Sequence, residues 1–201
     1  HDVFNPDRVI VGADDERSAE LLEELYGDPG CPILQTDTST AEAIKYASNA
    51  FLATKVTFAN EMANLLETCG VDVYKVMTGV GLDSRIGHAF LRAGAGFGGS
   101  CFPKDVNALV AMARGSGRPA RLLERVLEEN DRQPLRLVEL ARDAVGDLLG
   151  KRVALLGLSF KPMTDDIREA LGIQTDPTRR GYPWEGGTAV MGILNVTPDS
   201  F

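Results

Sequence analysis

STAEAIKYASNAFLATKVTFANEMANLLETCG, residues 39–70, decides how this chain folds. Its Ser/Thr-rich start and its Gly70 mark the ends of one long helix, predicted over residues 39–68. Ile44, Ala47, Phe51, Phe58, Met62 and Leu65 follow helical spacing and are expected to form much of its apolar stripe. Lys55 interrupts that stripe between Phe51 and Phe58. Lys45 and Asn49 stand four residues apart and so share a face, which a solvated helix surface accounts for. Lys55, Asn60 and Glu61 are assigned to surface, caps or interface packing.

Downstream, GFGGSCFPKD (residues 96–105) places Cys101 just past a glycine-rich loop and at the start of another predicted helix. Ser100 is expected to cap that helix, and Pro103 falls in its first turn, where a missing N–H costs little. A thiol there feels the positive end of the helix dipole, with Lys104 nearby, and both favour the reactive thiolate. Asp105 returns to the same helical face four residues on. Gly96, Gly98 and Gly99 let the backbone approach a ligand. The layout is that of a nucleophile beside a carboxylate and a ligand-hugging loop. A buried structural cysteine after a loop is the plainer alternative.

The rest of the chain supplies short strands and more helix. NPDRVIVG (5–12) and PILQTD (32–37) read as strands, with a helix over residues 15–26 between them. No G-x-G-x-x-G fingerprint follows the first strand. Residues 71–79 read as a short helix, and the helix after Cys101 runs to about Arg114. GSGRP (115–119) breaks it, and residues 120–148 form a long amphipathic helix that Pro134 kinks or divides. KRVALLGLSFK (151–161) reads as a strand and glycine turn opening a second α/β region. Two long helices with more apolar surface than a small fragment buries point to a homodimer. His88 and His1 read as surface or loop residues.

Bulk properties exclude several classes. The 201 residues carry a net charge of -8 with 44% hydrophobic content. That balance opposes non-specific nucleic-acid binding and an anionic membrane surface, and it argues against wholesale disorder. Cys31, Cys69 and Cys101 have neither metal-ligand spacing nor the even count of a disulfide framework. The absence of a signal peptide or long apolar run is expected of a cytoplasmic protein. A first residue that is His rather than Met is expected of a chain that begins inside a longer one.

GFGGSCFPKD resembles the catalytic-cysteine motif of UDP-glucose 6-dehydrogenases, within the UDP-glucose/GDP-mannose dehydrogenase family. EAIKYASNAFLATKVTFANEMANL (42–65), GLDSRIGHAFLRAG (81–94) and KRVALLGLSFKPMTDDIREA (151–170) match the same family in order. With NPDRVIVG the similarity covers roughly residues 1–170. The fold class it implies is mainly α: a long-helix central dimerisation domain flanked by incomplete, Rossmann-like α/β pieces. Residues 1–37 would be the end of an NAD-binding domain and 38–149 the central domain. Residues 150–170 would open a truncated UDP-binding domain.

The resemblance also implies a site. Cys101 is the nucleophile, and Lys45 and Asn49 are the catalytic lysine and its partner asparagine, both also meeting substrate. Asp105 orients or activates water. Arg85 reaches substrate in the neighbouring subunit. Arg92, Ala93, Gly94, Ala95, Gly96, Phe97 and Gly98 wrap the sugar nucleotide, and Phe160 and Lys161 contact it from the third domain. Lys104 and Arg168 lie toward the NAD cofactor, and no metal is required. The implied reaction oxidises the C6 alcohol of UDP-glucose to a carboxylate with two NAD+ and one water, through a thiohemiacetal and a thioester on Cys101. Related members oxidise GDP-mannose or UDP-N-acetylmannosamine. This chain alone is expected to be inactive, since the NAD-binding domain is almost wholly missing.

After Ala170 the resemblance stops. Residues 171–187 have a linker-like composition, and TAVMGILNVTPDSF (188–201) resembles the first strand and loop of dihydropteroate synthase, with Asn195 at the pterin-binding position. One strand cannot make a TIM barrel. Two other readings therefore stand beside the enzyme: a non-catalytic helical dimerisation module, and a fusion with a folate-pathway synthase.

Overall fold

The computed structural model describes residues 5–155 and the strand at 188–191. The expectations at Phe160, Lys161, Arg168 and Asn195 lie outside the described residues. The described part is mainly helical, with five helices. The chain divides into two compact units, His1–Asn49 and Ala50–Phe201.

In the first unit, β1 (Val9–Gly12) pairs in parallel with β2 (Ile33–Thr36), Val9 opposite Ile33, and α1 (Glu16–Tyr26) lies between them in sequence. α1 starts where expected because Asp15 caps it, its carboxylate accepting from Ser18 N–H at 2.9 Å. Gly12 meets the start of α2 (Thr38–Glu67) so closely that a Cβ there would lie 2.6 Å from the Ala41 methyl. The first turns of α2 are tied by Thr38 to Asp14 and by Thr40 to Asp37.

The second unit holds the rest of α2, then α3 (Val73–Gly81), α4 (Phe102–Gly115) and α5 (Arg121–Val145). α3 begins two residues later than the composition suggested, because the Asp72 side chain accepts from the Tyr74 and Lys75 amides. α5 runs as one helix with Pro134 inside it. β3 (Arg152–Leu155) pairs in parallel with β4 (Thr188–Met191).

The core corrects the expected stripe on α2. Phe51 is 66% exposed, Phe58 45% and Leu65 57%, while Ala50, Ala53, Val56 and Ala59 are buried. Ala47 is exposed as well, and Ile44 and Met62 are half-buried. The physical reason is space. A face of small residues lets large side chains from elsewhere come close, and Phe90, Phe97, Val106 and Val126 fill that room. A second cluster joins Ala59 to Met77 and Leu91, with Met62, Val73, Val76 and Val80 around it. Asn49, Thr57 and Asn60 lie buried on the same helix. Lys55 is no gap in an apolar face. It is half-buried, and its ammonium donates to the Ile86 carbonyl at 3.0 Å.

Candidate functional site

Cys101 opens α4. It is the N-cap residue, exposed, with φ -94° and ψ -59°. Ser100 does not cap the helix as expected. The chain is already helical at Cys101, whose side chain makes no capping hydrogen bond, and the Ser100 hydroxyl lies 3.8 Å from the Cys101 Sγ instead. Pro103 sits in the first turn as the sequence indicated. The Asp105 N–H donates to the Cys101 carbonyl at 2.9 Å, which closes the turn beneath the thiol.

Asp105 is 3% exposed, one turn from an exposed thiol. A carboxylate buried that deeply needs partners. Lys104 supplies one, its ammonium 3.1 Å from Asp105 Oδ1. The ammonium expected beside the thiol is thus engaged by the carboxylate, while its side chain stays 70% exposed.

Three rings frame this end of α4. The Phe102 centroid is 5.9 Å from that of Phe90 and 6.1 Å from that of Phe97, the latter edge-on at 77°. Phe90 takes a positive φ of 63°, a strained conformation for a phenylalanine, and its buried ring offsets that strain. Residues 92–98 then run from an exposed Arg92 through a buried Ala93 to a buried Phe97.

This loop is held by Asn60, which sequence reasoning left to surface, caps or packing, and by Asn64, Asn130 and Gln133, which it did not single out. Asn60, only 3% exposed, accepts from Gly94 N–H at 2.7 Å. Asn130 accepts from Phe97 N–H at 2.6 Å and donates to the Phe97 carbonyl at 3.0 Å. Gln133 donates to the Gly94 carbonyl at 2.8 Å, and Asn64 donates to Gln133 at 2.9 Å. These residues line a groove of about 430 Å³ between α2 and α5. Asn60 follows Val56 by four residues and Asn130 follows Val126 by four, so each continues a buried face. That periodicity was the available signal.

Arg85 lies on an exposed loop and folds back on Asp83, with Nη2 to Oδ2 at 2.6 Å and Nε to Oδ1 at 3.0 Å. This pairing holds the Asp83 carboxyl below its usual range and raises the arginine. Lys45 is exposed and Asn49 buried, one turn apart on α2, within the first unit. Cys101, Lys104, Asp105 and the 92–98 loop stand together in the second unit.

Residues 39–132 match the UDP-glucose/GDP-mannose dehydrogenase family, central domain. The chain carries that family's central domain. It is 52% identical over 173 residues to UDP-glucose 6-dehydrogenase YwqF of Bacillus subtilis, covering 86% of this chain and 39% of the relative. It is 50% identical to UDP-glucose 6-dehydrogenase AglM of Haloferax volcanii, over 86% of this chain and 41% of that one. The solved UDP-glucose dehydrogenase of Pyrobaculum islandicum aligns with a TM-score of 0.81 at 46% identity, over 86% of this chain and 40% of its own. The chain therefore spans about two fifths of the length of the curated relatives it matches.

Among the described residues, the turn between β1 and α1 does not fit the pyrophosphate of a dinucleotide. The turn after β1 reads Gly12-Ala13-Asp14-Asp15 and carries no glycine fingerprint. At the N-terminus of α1, where a pyrophosphate would dock, the Asp15 carboxylate already takes the Ser18 amide. The Ser18 hydroxyl and amide hold that carboxyl below its ordinary value of 3.8, so it stays anionic. No helix among the described residues is long and apolar enough to cross a membrane.

Proposed function

We propose that this chain is the central part of a UDP-glucose 6-dehydrogenase, with residues 38–149 as its nucleophile-bearing domain. Residues 1–37 then derive from the NAD-binding domain, and 150–170 open the UDP-binding domain. One observation carries the reading: an exposed Cys101 at a helix start, directly after a pinned glycine loop, with a buried Asp105 one turn on.

In this reading NAD is the hydride acceptor of the complete enzyme, with Lys104 and Arg168 of this chain toward it. The chain's own chemistry is capture of the aldehyde. The Cys101 thiolate adds to the C6 aldehyde carbon; the carbonyl π pair moves to oxygen, and that oxyanion takes a proton to give a thiohemiacetal. Lys45 and Asn49 stabilise the oxyanion; once the thiohemiacetal has given up its C6 hydride to NAD and its hydroxyl proton to become the thioester, Asp105 orients the water that cleaves it and returns the thiol. Arg85 and the 92–98 loop bind the sugar nucleotide. The match at about 50% identity to UDP-glucose enzymes favours glucose over mannose as the sugar.

The test uses the 201-residue chain with Cys31→Ser and Cys69→Ser, so that only Cys101 alkylates. UDP-glucose should slow its reaction with iodoacetamide, and GDP-mannose should not. An unchanged rate at millimolar UDP-glucose contradicts the reading.

A second reading, a homodimerisation module, is favoured by the large side chains of α2 that the chain leaves in solvent. Phe51, Phe58 and Leu65 are spaced seven residues apart, as along a helix seam. A monomer in sedimentation at micromolar concentration contradicts it.

A further inference from the structure

Four neutral amides from two long helices converge on one short loop. Asn60 and Asn64 come from α2, Asn130 and Gln133 from α5. Three of them, Asn60, Asn130 and Gln133, engage both the N–H and the C=O of Gly94 and of Phe97. A loop at this depth would otherwise leave those groups unpaired, which is costly. A primary amide offers a donor and an acceptor on one planar group without titrating, and Asn130 uses both on the same residue. The loop is shaped to admit it. Gly96 takes φ +110°, and a Cβ there would lie 2.8 Å from Asn130 Oδ1. Asn64 holds the far end of Gln133, so the amides form a connected set rather than separate contacts.

We propose that Asn130, supported by Gln133 and Asn60, is a positioning residue of the site: its side-chain amide sets the Gly94–Phe97 backbone in the shape that receives the nucleotide sugar. This rests on the reading of that loop as substrate-binding. Because the ends of the loop are fixed before a ligand arrives, binding need not order them. None of the four amides titrates, so the loop keeps its shape across pH.

The experiment compares the 201-residue chain with its Asn130→Ala and Asn130→Asp variants. Amide hydrogen exchange at Phe97 reads the clamp, and the Val106 and Val110 amides in the core of α4 report global unfolding. UDP-glucose titrated into each protein reads the function of the loop. In Asn130→Ala, Phe97 should exchange at least about ten-fold faster with Val106 and Val110 unchanged, and UDP-glucose should bind at least about ten-fold more weakly. Asn130→Asp keeps an acceptor for the Phe97 N–H and should restore most of its protection. Phe97 exchange that is unchanged, or that rises only in step with Val106 and Val110, overturns the proposal. So does local opening with unaltered UDP-glucose affinity. A parent chain that shows no response to UDP-glucose removes the substrate reading of the loop and the proposal with it, whatever the exchange shows.

Discussion

Two loops of the second unit are held in opposite ways. Residues 94–97 are fixed by neutral amides that reach out from α2 and α5. Residues 82–87 close backbone turns of their own, and the side chains that tie them are charged: the Lys55 ammonium on the Ile86 and Gly87 carbonyls, and Arg85 folded onto Asp83. Leu82 at the start of that segment is 73% exposed, whereas Phe97 is 7% exposed. The contrast teaches a division of labour. A loop clamped by uncharged groups from rigid helices keeps one shape. A loop whose arginine is held only by an exposed ion pair of its own can release that arginine to a better partner, as the proposed role of Arg85 across a subunit boundary requires.

The hardest blow to that contrast is Gly96→Ala. It sets a side chain at φ +110° and drives it into Asn130, so we expect a loss of roughly 3 kcal/mol in urea unfolding. A loss below about 0.5 kcal/mol would mean that the clamp yields easily. Next comes Asn60→Ala, which removes the acceptor of the half-buried Gly94 N–H. It should cost about 1–3 kcal/mol, and an unchanged midpoint would show that another group takes over.

Lys55→Met should do less at neutral pH and should change the alkaline response. Burial lowers the Lys55 pKa from its usual 10.5. Between its folded and unfolded values the unfolded chain binds more protons, so this residue adds stability as pH rises toward 10.5. Lys55→Met should remove that rise, and a pH profile superimposable on the parent's would refute the burial effect. Smallest of all, Arg85→Ala should leave the melting temperature unchanged, because its pair with Asp83 is solvent-exposed. A clear drop in melting temperature would mean that the pairing fixes the fold.

Much of this architecture is legible in the sequence, and the misreadings have physical causes. Asp15 and Gly27 bound α1 as capping rules require, and Pro103 falls in the first turn of α4. The motif around Cys101 is local, so the sequence alone places the thiol at a helix start. The buried face of α2 was not legible, because size was taken for burial. Phe51 and Phe58 are the larger apolar residues, yet Ala53 and Val56 face the core, where the rings of Phe90 and Phe97 need the room. Ser100 looked like a cap by type, but the helical turn at Cys101 displaces it. The amide clamp was missed because its members lie far apart in sequence. Asn130 and Phe97 are separated by 33 residues, a pairing that only the packing of α5 beside the loop creates.

The central claim is that residues 39–132 carry the working nucleophile of a UDP-glucose dehydrogenase. Its most direct test is NADH formation by a chimera in which these residues replace the matching segment of the Haloferax volcanii relative. We expect turnover of UDP-glucose that Cys101→Ser reduces at least about a thousand-fold. A folded chimera that forms no NADH, or one that keeps its turnover without the thiol, would contradict the account.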